Sequence, residues 1–190
     1  MNRLTKAVAS ALPMILFAIP ISAHAQGTPA EHMNGSLGFH TSTAPVGVRW
    51  WFGAQKVGVD LGFGYGSSPS DDFPSEKLKH WAIDGGVPIV FKSWSKVHVL
   101  FRPGVLYESA ESDAGLATFS TVKTKTLTVS GEIEAEVFLA DNFSVSASHG
   151  VAYTSIDPPG PGDNITSFET LGKNFTDVGF HVYFFGGGTQ

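Results

Sequence analysis

From Val57 the odd positions read Val57, Val59, Leu61, Phe63 and Tyr65, and the even ones Gly58, Asp60, Gly62, Gly64 and Gly66. Strict alternation of this kind marks a strand whose two faces meet different surroundings. The same period returns over residues 46–52, 80–91, 96–108, 126–139, 143–153 and 177–184, and weakly at 37–40. No segment after the N-terminal stretch carries a 3.6-residue apolar period, so the pattern predicts an all-β protein.

The connections add a second regularity. Residues 53–56, 92–95 and 140–142 are tight, whereas the Gly-, Pro-, Ser- and Asp-rich stretches 67–76, 110–117 and 157–167 are longer. With a further break at 43–45, short and long connections alternate along eight strands. Both chain ends then fall on the short-turn side. An even strand count with short turns at one rim and longer loops at the other describes an antiparallel, up-and-down barrel.

Alternation alone does not say which face is inside, because soluble and membrane barrels use the same period with opposite orientation. Three features favour polar-in. The polar face is crowded with Gly, Ser and Thr, small enough for a narrow eight-stranded lumen, and only 15% of the chain is charged. On the apolar face, Trp50, Phe52, Phe91, Phe143 and Phe184 gather toward the short-turn rim, and Tyr65, Tyr107 and Tyr153 toward the other, as in two interfacial girdles. The third feature is the N-terminus. Arg3 and Lys6 precede an apolar run from Ala7 to Ile21, and Ala23-His24-Ala25 closes it. These are the parts of a secretory signal peptide cut after Ala25.

The predicted organisation is therefore a signal peptide at 1–25, a linker at 26–34, a transmembrane barrel at 35–185 and a tail at 186–190. The signal segment takes two of the 12 basic residues and none of the 17 acidic ones, leaving ten against seventeen and a formal charge of −7. With no cysteine, an exported chain is held together by burial or lipid and not by disulfides. The acidic balance offers no basic face for nucleic acid.

Together these features resemble the small eight-stranded outer-membrane proteins of Gram-negative bacteria, the OmpX/Ail and OmpA-barrel type. The resemblance covers residues 35–185. It implies location in the outer membrane, contact with outer-membrane lipid and lipopolysaccharide, passage through the barrel-insertion machinery and a monomeric state. In that family the chain usually ends on an aromatic residue. Here Val182-Tyr183-Phe184-Phe185 is followed by three glycines, Thr189 and Gln190.

Across the tight turn after Phe52, pairing of Phe52 with Val57 sets Arg49 opposite Asp60 on the inward face. If residues 92 and 96 flank the next turn, Asp84 faces Gly104 and lies diagonally beside Arg102. Glu132, Glu134 and Glu136 line one strand toward the rim that carries Lys96. Buried charges left unpaired cost several kcal/mol each, so these eight side chains are expected to form an ionic network that plugs the lumen. A charged pore is the alternative. His40, His80, His98 and His181 fall on the same face and are expected to be hydrogen-bonded lumen histidines rather than a metal site.

No cofactor is expected, and no enzyme. Lipid A deacylases of this barrel class use a lipid-facing His and a Ser two residues on. Here His149 is followed by Val151, and Ser148 points to the opposite face. The function expected is a structural or surface-interaction role, with a lipid A-modifying enzyme or a small-solute channel as alternatives. Asp71, Asp72, Glu76, Glu111, Asp113, Asp157 and Asp163 make the long loops acidic, for simple solvation or for binding divalent cations or a basic host or envelope surface ligand.

Overall fold

The computed structural model describes residues 33–39, 43–52, 56–70, 77–113, 121–160, 162–170 and 176–186. The expected signal segment lies outside the described residues. Ten strands are present: β1 Met33–Phe39, β2 Val46–Phe52, β3 Val57–Pro69, β4 Lys77–Gly86, β5 Ile89–Trp94, β6 Val97–Asp113, β7 Thr121–Ala140, β8 Phe143–Asp157, β9 Ile165–Glu169 and β10 Thr176–Gly186. They make eight staves, because β4 with β5 and β9 with β10 are each one interrupted stave. Every pairing is antiparallel, and β10 closes on β1. The fold is an all-β, eight-stranded antiparallel closed barrel. Among the described residues there is no helix.

The interruption in the fourth stave has a covalent cause. Pro88 has no N–H to give to a ladder, so β4 ends at Gly86 and β5 resumes at Ile89. Neighbours bridge the gap: Gly58 N–H donates to the Pro88 carbonyl (2.9 Å) and Val87 N–H to the Pro103 carbonyl (3.0 Å). Beyond it the turn is only Ser95 and Lys96, and a bulge at Phe91 absorbs one residue. The register therefore differs from expectation by two. Asp84 faces Leu106, and it is Gly86 that faces Gly104.

All three long stretches expected as loops are strand in part: β3 runs to Pro69, into the expected 67–76 loop. β6 runs to Asp113, through the first part of the expected 110–117 loop, and Ile165–Glu169 pairs with the end of β8. The alternation of β8 is clear only as far as Tyr153, and Ile165 and Phe168 are three apart and break the period.

The barrel is polar inside and apolar outside. On β3, Leu61, Phe63 and Tyr65 are 55%, 51% and 62% exposed, while Asp60, on the opposite face of the strand, is fully buried. Val46, Val48, Ile83, Val105, Val129, Ile133, Val178 and Phe184 are exposed in the same way.

Candidate functional site

Three layers fill the lumen. Nearest the short turns is an apolar layer of Trp51, Leu100, Phe138 and Tyr183, with Val90 packed against it. Each stands one residue from an outward-facing apolar neighbour, so strand parity sends it inward. Trp51 Nε1 donates to Tyr183 Oη (3.3 Å), and the Phe138 and Tyr183 rings lie 5.7 Å apart.

The second layer is ionic. Arg49 and Asp60 face each other across β2 and β3, and the guanidinium meets the carboxylate at two points, Nε to Oδ1 (2.8 Å) and Nη2 to Oδ2 (2.9 Å). From the far wall Glu134 receives Arg49 Nη1 and Nη2 at 3.0 and 2.9 Å, and Glu136 receives Nη1 at 3.4 Å. Arg102 donates through Nε to Asp60 Oδ2 (2.8 Å), through Nη2 to Asp84, and through Nη1 to Glu132 at 3.5 Å. Asp60 thus bridges the two arginines.

Five carboxylates surround two guanidiniums, and hydroxyls supply further donors. Ser130 and Ser148 donate to Glu132, at 2.8 and 3.0 Å. Ser144 and Tyr183 donate to Glu136, at 2.5 and 2.7 Å. His181 Nδ1 lies 3.4 Å from the same carboxylate. A buried carboxylate is tolerable when its lone pairs are used in this way. Glycine makes the room. A Cβ on Gly86 would lie 2.5 Å from Arg102 Cζ, and one on Gly104 2.9 Å from Arg102 Nη1. The guanidinium lies across this paired glycine site.

The third layer, toward the long connections, is built from small and hydroxylic side chains such as Ala82, Ala152, Thr128 and Thr154, the two threonine hydroxyls 3.1 Å apart.

Seven of the eight expected charges, Arg49, Asp60, Asp84, Arg102, Glu132, Glu134 and Glu136, meet in the ionic layer. Lys96 does not. It occupies the Ser95–Lys96 turn, partly exposed, and gives its carbonyl to Phe138 N–H (2.8 Å). The expectation rested on a three-residue turn; the shorter turn and the bulge leave Lys96 at the rim beneath the apolar layer. Sequence reading also passed over Ser144, Ser148 and Tyr183, whose inward parity was the available signal.

The histidines are dispersed. His181 lies beside Glu136 and His98 packs edge-on to Phe138 (5.1 Å). His80 is half exposed, 3.6 Å from Glu108, and His40 lies outside the described residues. Among the described residues no group of three His, Asp or Glu is arranged to hold a metal ion.

Space within the layer is scant. Voids of about 10 Å³ and 20 Å³ remain beside Glu132 and Asp177, enough for a water molecule or so. Of the acids expected in the loops, Glu111, Asp113 and Asp157 are on strands, with Lys79, Lys123 and Lys125 on adjoining ones; Asp163 lies in the connection between β8 and β9, and Asp71, Asp72 and Glu76 lie outside the described residues.

Comparison with protein-family models, curated proteins and solved structures finds no match to this chain, so its function is read from the barrel and the side chains inside it.

Proposed function

We propose that this protein is a transmembrane barrel of a bacterial outer membrane, with a structural or surface-interaction role and a sealed polar lumen. One observation carries the reading: the ionizable side chains of mid-barrel face inward while large aliphatic and aromatic side chains cover the outside. Soluble monomers rarely expose contiguous apolar patches beyond a few hundred Å², whereas a lipid-facing band has this composition. The N-terminal segment, with its charged start, apolar middle and Ala-x-Ala end, supports export.

The sealed lumen favours a structural or surface role over a channel. The ionic layer and the apolar layer stack in series, and eight strands leave an interior only wide enough for side chains. The long hairpin favours surface interaction. β6 and β7 run 17 and 20 residues, while crossing a hydrocarbon core takes about 9–11. We assign no catalytic role to His149, because its outward neighbour on the strand is Val151.

The test is reconstitution. The mature chain, diluted from urea into lipid vesicles, is expected to float with them and to leave a planar bilayer electrically silent. A chain that folds and stays monodisperse in water without lipid overturns the membrane reading. Steady conductance steps overturn the sealed lumen.

A further inference from the structure

The outward face of β3, β4, β6 and β7 is graded from mid-barrel to the long-loop rim. The pairings give successive rows across the four strands: Leu61, Gly85, Val105 and Val129; then Phe63, Ile83, Tyr107 and Leu127; then Tyr65, Trp81, Ser109 and Lys125. One step further, Lys79 and Lys123 flank Glu111, and Lys77 lies beyond, paired with Pro69.

The lowest row is a furrow. Gly85 has no side chain and Pro103 is flat, and between Leu61, Val87, Val105 and Val129 they leave an apolar groove of about 320 Å³. Above it the Trp81 and Tyr107 rings lie 5.4 Å apart. Above them stand the four lysines. All are exposed, and none is in an ion pair among the described residues. Two of the three carboxylates nearby accept other donors: Glu111 Oε2 from the Lys79 main-chain N–H (3.1 Å), and Asp113 Oδ1 from Ser70 Oγ (2.6 Å). Asp157 is paired in register with Lys125. Between Trp81 and Lys125 the Ser109 hydroxyl is buried with no hydrogen-bond partner.

Spacing decides what such a face suits. Strand geometry sets Lys77 from Lys79, and Lys123 from Lys125, about 7 Å apart, and the two pairs about 10 Å apart across β6. Four cations spread this widely match a head group with more than one phosphate better than a single phosphodiester. An acyl chain in the furrow and a sugar ring against the aromatics complete the match.

We propose that this face binds the multiply phosphorylated glycolipid of the outer leaflet, head group on Lys77, Lys79, Lys123 and Lys125 and one acyl chain along the Gly85 furrow. The proposal rests on the outer-membrane reading above and goes beyond it by naming a lipid and a site.

The test is native mass spectrometry of the detergent-solubilised mature chain with purified bisphosphorylated lipid A, its monophosphorylated form and phosphatidylglycerol. Binding is expected to fall at least threefold on loss of one phosphate and at least tenfold for phosphatidylglycerol. The combined variant Lys77→Gln, Lys79→Gln, Lys123→Gln, Lys125→Gln should lose at least tenfold. The matching variant at the other rim, Lys56→Gln, Lys92→Gln, Lys96→Gln, should lose nothing. Gly85→Leu should weaken binding by filling the furrow; a Cβ there meets Leu61 Cδ2 at 3.8 Å, so the site accepts a side chain. If the combined variant does not fold, the single changes Lys79→Gln and Lys123→Gln are read instead, each expected to lose at least twofold. Equal binding of phosphatidylglycerol, or folded lysine variants that bind like the parent, overturns the site. Flotation of the same preparations with vesicles separates the two failures: a parent chain that floats but shows no preference among lipids refutes the site alone, and one that stays in the aqueous fraction refutes the membrane reading.

Discussion

Arg49 and Asp60 stand directly opposite one another on adjacent strands, and their side chains meet in a two-point ion pair in the centre of the barrel, 1% and 0% exposed. Asp60 also holds Arg102, so one carboxylate joins two guanidiniums that sequence places 53 residues apart. Removing it takes a close partner from each, although Glu134 still holds Arg49 and Asp84 still holds Arg102. Asp60→Asn should therefore cost about 3–5 kcal/mol, read from urea unfolding in lipid vesicles.

Pairing can be separated from general damage by a double-mutant cycle. Each single change, Arg49→Met or Asp60→Asn, leaves buried charge uncompensated, so the double change should cost less than the sum of the two. We expect a coupling above about 1 kcal/mol. Glu134 also holds Arg49 and limits the loss in the Asp60 single variant. Additive effects would contradict the bridging role of Asp60.

Gly86→Ala tests the room made for Arg102. The added Cβ would sit inside contact distance of the guanidinium, which must move away from Asp84 and Asp60. A cost of about 1–3 kcal/mol, as for overpacking, is expected. Gly85→Ala, one residue away and facing outward, should be close to neutral in the same assay, since its nearest neighbour is at 3.8 Å.

Tyr183→Phe keeps the ring in the apolar layer and deletes the hydroxyl that joins it to the ionic layer. Glu136 then loses a donor and Trp51 an acceptor. Leaving buried polar groups short of a partner costs about 1–3 kcal/mol, and equilibrium unfolding in vesicles measures it. No change in stability would mean the two layers are not coupled through this hydroxyl.

Much of this was legible in the sequence, for a physical reason. A period of two survives any register, so the staves and their inward sets could be read from Val57–Tyr65 and its counterparts. The Arg49–Asp60 contact was legible because it spans one tight turn. Asp84 and Lys96 were misplaced because the Phe91 bulge and the two-residue turn change the register without changing the alternation. β9 escaped because Ile165 and Phe168 break the period. Trp51, Leu100, Phe138 and Tyr183 follow strand parity inward against their apolar character, and only the closed barrel reveals that they stack. The lysine rows stayed hidden because their members come from strands more than 40 residues apart in sequence.

Outward placement of the apolar face predicts the cost of charging it. Phe101→Arg or Val129→Arg should destabilise the barrel in vesicles by about 2–4 kcal/mol, the penalty for a cation facing mid-bilayer. Both side chains are exposed on the outer wall, so in a water-soluble barrel the same changes would cost almost nothing.

Two adjacent tryptophans give the most direct test of the inverted barrel. Trp50 faces outward, 45% exposed, and Trp51 faces the lumen, 3% exposed. In single-tryptophan variants retaining one or the other, with the remaining indoles replaced by Phe, fluorescence is recorded in vesicles of brominated phospholipids. Strong quenching of Trp50 and weak quenching of Trp51 is the expected result. Quenching of Trp51 with Trp50 spared, or of neither, would contradict a barrel that turns its apolar face to lipid.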